Sequence, residues 1–495
     1  MRTILAFFLG ILTVPGFAPF YWFPVPLVTL ALLFLFWRQC TTAMQSIWLG
    51  FAYGMGLFGA GVTWLYVSLH DFGAMPPVLA AFALVILCAY LSLYPALCGW
   101  LVFRMRTALP HIWALAAAAA WMLTEWLRGA LFTGFPWLAL GYSQAPDSPI
   151  AGFAPILGVY GVSLILVWSA ALLCLWFTKV ATAVRIGLLL GVIWLSGLGL
   201  QSINWVEPIG EPLSVSLLQG NIEQDLKWRE DHVEKTMLTY AELILESESR
   251  LIVTPEISIP LFNDAVPPDY LDYLAEHARE NDGDILIGLA EHATNGTDTY
   301  YNSMFSLGSS PEQVYRKHHL VPFGEFIPLK PVFGWIIKTL HIPLSDFSRG
   351  STDQQPMQLA GQQVAVNICY EDVFGEEIIA QLPQATLLVN VSNDAWFGRS
   401  IGPHQHLQIS QMRALETGRY MLRSTNTGIT AIIDERGKIL DQLEVFTTDG
   451  LHGLAQGFSG VTLYVLVGNY LVLGLAVLLL CMGWISATLM QRKLL

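Results

Sequence analysis

Val364-Ala365-Val366-Asn367-Ile368-Cys369-Tyr370-Glu371-Asp372 reads as a short apolar strand that stops abruptly at a sulfur flanked by acids. Cys369 is the sole cysteine between Ser202 and Ser459. Its surroundings are expected to lie outside a cell membrane, where thiols normally pair as disulfides. With no partner in its own domain, this thiol is either a buried apolar filler or one kept free for chemistry. Similar apolar, β-branched runs recur at 213–219, 250–254, 284–290, 303–307, 386–391, 423–425, 430–434 and 438–443. Helix-like stretches at 230–249, 269–280, 374–381 and 404–419 are interleaved with them. That alternation predicts α/β layering around sheets.

Two other segments are built like the Cys369 strand. Leu251-Ile252-Val253-Thr254-Pro255-Glu256 ends in a carboxylate. Val314-Tyr315-Arg316-Lys317-His318-His319 ends in a cation and runs on to Pro322-Phe323-Gly324-Glu325. Carboxyl ends of strands are where α/β proteins usually place their sites. A thiol attacks a carbonyl as its anion, which a nearby lysine favours; a carboxylate can instead take the proton as general base. Glu256, Lys317 and Cys369 thus make a set of base, oxyanion-stabilising cation and nucleophile. Singly, each has a plainer reading as a surface Glu or Lys, or a core Cys.

The 495 residues include 17 tryptophans and only 13% charged residues, with a mean hydropathy of +0.51. Those values indicate a membrane protein. The net charge of −13 conceals an asymmetry: residues 203–458 hold 16 Lys+Arg against 35 Asp+Glu, a balance of −19, and the rest of the chain is +6. An acidic domain argues against nucleic acid as a partner. The remaining cysteines (Cys40, Cys88, Cys98, Cys174, Cys481) fall in apolar runs and read as small hydrophobes. No CxxC occurs, so zinc-ribbon and thioredoxin-like chemistry has no support.

Apolar stretches lie at 3–20, 24–37, 46–69, 77–103, 111–127, 150–177 and 186–202, with one more at 461–490. Crossing the hydrocarbon takes about 20 apolar residues. Eight spans are expected, the Pro-flanked second being the shortest. Pro15-Gly16-Phe17-Ala18-Pro19-Phe20 offers no cleavage site, so the first stretch is expected to be retained. Arg2, Arg38, Arg104, Arg106, Lys179, Arg185, Arg492 and Lys493 fall on alternate connections and at both ends. The positive-inside rule then puts both termini in the cytoplasm and 203–458 outside. The expected organisation is 1–202 in the membrane, 203–458 as an outer catalytic domain, and 459–495 as the last span and cytoplasmic end. Arg128 breaks the charge pattern and is expected to pair with Glu125 one turn back, or to meet a lipid headgroup. Trp137, in Thr133-Gly134-Phe135-Pro136-Trp137, fits an interfacial aromatic belt, with a substrate contact as the alternative.

The Glu-Lys-Cys set resembles that of the nitrilase superfamily, whose fold is a four-layer αββα sandwich. With the spans included, the chain over essentially its full length resembles the bacterial apolipoprotein N-acyltransferases. Thr254-Pro255-Glu256, the run from Lys317 to Glu325, Cys369-Tyr370-Glu371 and Asn393-Asp394-Ala395-Trp396-Phe397-Gly398 carry the likeness. The resemblance implies a bacterial inner-membrane enzyme with a periplasmic catalytic domain. A phospholipid of the phosphatidylethanolamine type donates its acyl chain to Cys369, and the α-amine of an apolipoprotein's diacylglyceryl cysteine accepts it. It further implies Glu256 as base, Lys317 at the oxyanion, and Glu325 holding Lys317. Tyr370 and Glu371 would shape the pocket, and Trp228 would sit on an arm over it; from its local sequence Trp228 reads as an interfacial anchor. No cofactor and no metal are expected. Each buried CH₂ of a lipid substrate holds it to the bilayer by about 0.8 kcal/mol, so a domain tethered at both ends suits such substrates. Pro331-Val332-Phe333-Gly334-Trp335-Ile336-Ile337 is expected either to dip into lipid or to pack in the core.

His318-His319 and His404-x-His406 lack the ligand count zinc needs and read as structural or surface histidines. Gly54-Met55-Gly56 and Gly59-Ala60-Gly61 lie in an apolar stretch, where small residues pack helices. No G-x-S-x-G elbow is present. Two other readings stay open: a membrane-tethered nitrilase-like amidase with water as acceptor, and a transporter or receptor with a ligand-binding outer domain. The latter predicts paired charges inside the spans, which are nearly absent.

Overall fold

The computed structural model describes residues 1–179, 182–293, 299–328 and 346–494. The stretch 331–337 lies outside the described residues. The chain forms two compact units: residues 1–66, 77–204 and 462–495 in one, and 67–76 with 205–461 in the other.

The second unit is built on two six-stranded sheets. In the first, β1 (Val206–Gln219), β2 (Leu251–Val253) and β3 (Asp284–His292) run parallel. β4 (Tyr300–Gly308) and β5 (Val314–Arg316) follow antiparallel. In the second, β6 (Met357–Leu359) pairs antiparallel with β7 (Gln362–Ile368), and β7, β8 (Leu387–Ser392) and β9 (Met421–Thr425) are parallel. β10 (Ala431–Ile433) and β11 (Ile439–Gln442) complete that sheet, and β12 (Asp449–Gly460) returns to the free edge of β1 in the first.

Side chains alternate across a strand, and that alternation separates the layers. Val215, Leu217, Leu251, Val253 and Leu286 point into one core with Val364, Val366, Ile368, Val389, Val391 and Leu422 of the facing sheet. The intervening Ile252, Ile285 and Ile287 point the other way, onto Tyr240, Ile244, Leu274 and Ala278. Those four lie on the helices Glu230–Leu245 and Pro268–Glu280. The helix Gly402–Thr417, buried along nearly its whole length, covers the second sheet beside β9. The result is an αββα sandwich. Burying each large apolar side chain contributes roughly 1.5–3 kcal/mol, so the shared inner core dominates its stability.

β12 is the strand the sequence conceals. Its run Asp449-Gly450-Leu451-His452-Gly453-Leu454-Ala455-Gln456-Gly457 is glycine-rich, and glycine is depleted in strands. It forms because β1 supplies a long edge to pair with, from Val206↔Gly460 to Gln219↔Asp449.

Among the described residues of the first unit, four helices are long and apolar enough to cross a membrane: Pro77–Arg104, Pro149–Phe177, Ala183–Leu200 and Tyr470–Lys493. The pair Ala43–Gly61 and Trp64–Phe72, bent by 57° and belonging to the second unit from Val67 on, makes a fifth if counted as one span. Arg2–Gly16 and Pro24–Arg38 are apolar but short. The helix Pro110–Ala130 carries His111, Glu125 and Arg128, and its Ala116–Ala120 run is fully buried. Small residues of this kind let helix backbones approach closely. Arg2 reaches the Gln39 carbonyl, Arg38 lies over Trp113, and Arg104 over Trp484. These contacts collect Arg2, Arg38 and Arg104 with the last helix's basic end at one end of the bundle. Arg128 donates to the carbonyls of Phe135 (2.5 Å) and Trp137 (2.6 Å), while Glu125 accepts from Trp121 Nε1 and the Leu140 amide. Trp137 is buried against Trp64 in this unit.

Candidate active site

Each of the three reactive residues sits just past a strand end. Glu256 follows β2, and its loop lies hard against β3: a Cβ on Gly288 would come within 2.4 Å of the Pro255 carbonyl oxygen. Lys317 follows β5, its amide donating to the Asn302 carbonyl (2.8 Å). Cys369 follows β7 with φ +55°, a left-handed conformation rare for a residue with a Cβ. Such strain collects at functional positions. The chain then turns into the 3-10 helix Cys369–Val373.

Lys317 Nζ donates to Glu256 Oε1 (3.0 Å) and Glu325 Oε1 (2.9 Å). Asn302 Nδ2 bridges the same two oxygens at 2.7 and 3.0 Å. The Asn393 amide donates to Glu256 Oε2 (2.9 Å), and the Val321 amide to Glu325 Oε2 (2.8 Å). Both carboxylates are therefore held through both oxygens. Lys227, also buried, donates to the Glu256 carbonyl oxygen at 3.2 Å.

Burial would raise the Glu256 carboxyl, but Lys317, Asn302 and Lys227 hold it below the ordinary value. Burial would likewise lower Lys317, yet Glu256 and Glu325 keep it well above the usual lysine range. The Cys369 thiol is pushed up by burial and by the Glu256 charge; Lys317 and a hydrogen bond from Ser392 pull the other way without prevailing. The resting sulfur is thus a neutral thiol beside an ionised carboxylate.

Glu371 staples two strand ends. Its Oε1 accepts from the amides of His318 (2.6 Å) and His319 (3.1 Å), and its Oε2 from the Ile368 amide (2.6 Å) and Tyr315 hydroxyl (3.0 Å). Lys317 and Cys369 are thereby tied through their neighbours to one carboxylate. Tyr370 is buried, edge-on to Phe374 and His319. Trp228 packs on an apolar cluster of Ile257, Leu320 and Phe347, next to Glu256 and Lys317 in the chain.

A second buried network backs Cys369. His406 Nε2 donates to the Cys369 carbonyl oxygen (3.2 Å) and lies 3.1 Å from Asp372 Oδ1, while its Nδ1 donates to Asp394 Oδ1 (2.9 Å). Arg423 donates to Asp394 Oδ2 (2.9 Å) and to Asn390 Oδ1, and Asn390 Nδ2 reaches the Cys369 carbonyl oxygen (3.3 Å). Burial and Arg423 push the imidazole down, but Asp372 and Asp394 outweigh them and raise it to about 9. The neighbouring loop places the Trp396 carbonyl on Ser68 Oγ (2.7 Å) and the Trp396 ring edge-on to Phe72.

Lys227, Asn302, Asp372, His406 and Arg423 were not singled out as site residues by sequence. Arg423, an arginine inside an apolar strand, carried a signal. Lys227 sits among Glu223, Asp225, Arg229 and Glu230 and reads as one more solvated charge.

The sandwich with these strand-end residues defines a carbon–nitrogen hydrolase domain, and the Carbon-nitrogen hydrolase family model matches residues 214–452. The Apolipoprotein N-acyltransferase N-terminal domain model matches residues 9–172. The chain is 66% identical to the apolipoprotein N-acyltransferase of Nitrosomonas europaea, over 99% of both chains. It is 44% identical to that of Chromobacterium violaceum and 43% to that of Ralstonia nicotianae, in each case over 96% of this chain and 92% of the relative. The chain belongs to the apolipoprotein N-acyltransferase family and is an acyltransferase.

Proposed function

We propose that the protein transfers a fatty acyl chain from a membrane phospholipid, of the phosphatidylethanolamine type, to the α-amine of an apolipoprotein's N-terminal diacylglyceryl cysteine. The carrying observation is a cysteine at a strained strand end, in one domain with a strand-end carboxylate ion-paired to a buried lysine. In the first half-reaction Glu256 takes the thiol proton, the sulfur attacks the ester carbonyl, and Lys317 stabilises the oxyanion. The proton then leaves with the lysophospholipid alcohol, and Cys369 holds the chain as a thioester. The acceptor amine attacks in turn and restores the thiol. Glu325 keeps Lys317 in place, Glu371 aligns Lys317 with Cys369, and Tyr370 and Trp228 wall the pocket. Trp137 is assigned to substrate positioning. We assign residues 203–458 to the periplasmic side of a bacterial inner membrane, between spans in 1–202 and a last span in 459–495. Eight spans leave both termini in the cytoplasm.

The test is intact mass of the purified protein incubated with phospholipid. An acyl adduct that hydroxylamine removes is expected on the wild type and not on Cys369→Ala. Adding a diacylated lipopeptide should move the chain onto its amine. An adduct that persists in C369A, or no adduct on the wild type, overturns the thioester. Release only as free fatty acid would instead identify a hydrolase.

A further inference from the structure

Lys317 and Lys227 both contact Glu256, and their surroundings drive them apart. Two carboxylates grip Lys317 Nζ, at 3.0 and 2.9 Å. Lys227 Nζ touches a neutral carbonyl oxygen, and among the described residues no carboxylate pairs with it. An ammonium buried without an ion pair is costly. Burial accordingly lowers Lys227 to about 8, against the pull of Glu256 and Cys369. Titratable groups whose environments separate them within one site mark separate tasks.

The placement of Lys227 is fixed. Asn426 spans the start of its segment, accepting from the Ile222 amide (2.9 Å) and donating to the Ile222 carbonyl oxygen (2.7 Å). Asn393 Nδ2 donates to Gln224 Oε1 (2.7 Å), and the Asn393 amide holds Glu256. The segment carrying Lys227 and the carboxylate of Glu256 thus share an anchor. The charges around Lys227 are few. Glu223, Asp225 and Arg229 on its own segment are exposed. Glu256 faces it from the β2 end and Cys369 from the β7 end. Lys317 and Glu325 reach it through Glu256, and Asp394 is committed to His406 and Arg423.

Aminolysis of the proposed thioester poses a proton problem that its formation does not. A free α-amine is largely an ammonium at neutral pH, and it must lose two protons to become an amide nitrogen. One passes through Glu256 to the departing sulfur; the other needs a second acceptor. We propose that Lys227 is that acceptor: the fraction of it present as the neutral amine takes the first proton from the incoming ammonium, before attack. The freed lone pair then forms the C–N bond to the thioester carbonyl, and the C–S bond breaks with its electron pair going to sulfur. The second nitrogen proton moves via Glu256 to give the Cys369 thiol, and Lys227 returns its own proton to solvent.

This inference rests on the thioester reading, and the experiment separates the two. Acyl adducts are formed on the wild type, Lys227→Met and Lys227→Arg, then discharged either by a diacylated lipopeptide or by hydroxylamine, which is already uncharged at neutral pH. Adduct formation on all three proteins shows that the variants fold. At pH 7 both variants should discharge onto lipopeptide about 100-fold more slowly than wild type, the scale of a lost general base. Their discharge to hydroxylamine should stay within a few-fold of wild type, and K227M should regain lipopeptide discharge as pH rises and the acceptor deprotonates in solution. Wild-type lipopeptide discharge by K227M, equal slowing with both nucleophiles, or failure of the variants alone to form the adduct overturns the assignment. Absence of the adduct on the wild type removes the thioester reading itself.

Discussion

At Cys369 the local field opposes ionisation. Burial raises the thiol most, the Glu256 charge adds to it, and Lys317 pulls the other way. Replacing Glu256 with Gln removes an anion from beside the sulfur and leaves Lys317 one carboxylate partner in place of two. The thiolate fraction at pH 7 should rise, by about tenfold for each unit the thiol falls. E256Q is therefore expected to react faster with iodoacetamide at Cys369 while losing acyl transfer by about 100-fold or more. Peptide mapping after timed alkylation separates Cys369 from the exposed Cys481. Slower alkylation of Cys369 in E256Q would mean that the resting site already holds a thiolate made by Glu256.

Between elements, charge buried behind β7, β8 and β9 sets where Cys369 sits. His406 donates to the Cys369 carbonyl oxygen from a helix on the far side of the sheet, and Asp372 and Asp394 flank its ring. Its folded pKa of about 9 lies above the ordinary 6.5, so the native state holds this proton more tightly than the unfolded chain. The stabilisation is complete below pH 6.5 and disappears as pH rises through 9, amounting to about 3 kcal/mol. Lys227 has the opposite sign: its lowered pKa makes stability rise above pH 8. Glu371, raised to about 7 by burial, acts earlier, costing stability from its ordinary 4.5 up to 7. Comparison with H406Q therefore isolates the histidine. The wild-type midpoint of thermal unfolding, followed by tryptophan emission, should fall by roughly 5–10 °C between pH 6.5 and 9, and H406Q should lose most of that slope. Equal slopes would place the imidazole proton outside the network's stability. This network also marks a limit of local sequence reading. Glu256, Lys317 and Cys369 stand out because each comes at the carboxyl end of a strand-like run, where a strand must stop. His406, Arg423 and Lys227 owe their burial to pairings far along the chain, and no short window contains both partners. β12 is hidden for the same reason, since β1, over 200 residues away, supplies the edge that makes a glycine-rich run a strand.

For the whole molecule, charge is partitioned before any fold is formed: −19 in residues 203–458 against +6 elsewhere. The helical unit sorts its positive charge further, with Arg2 on the Gln39 carbonyl, Arg38 over Trp113 and Arg104 over Trp484. Basic residues collected at one end of a bundle are what the positive-inside rule retains in the cytoplasm. The number of crossings is less legible than their polarity, because length and hydropathy diverge here. Arg2–Thr13 and Pro24–Arg38 have 12 and 15 residues, against the roughly 20 that span the hydrocarbon. Pro110–Ala130 has 21 but directs its alanine face inward and carries Glu125 and Arg128. Parity decides the matter experimentally. Eight crossings put residues 1 and 495 on one side and 203–458 on the other; omitting any one of the first seven reverses the side of residue 1 relative to residue 204. Alkaline phosphatase joined after Asn204 should therefore be active, a green fluorescent protein joined after Leu495 should fluoresce, and phosphatase joined after Thr107 should be inactive. Activity at Thr107 together with Asn204 would require an even number of crossings between them, so that at least one of the helices in 110–200 turns back without crossing.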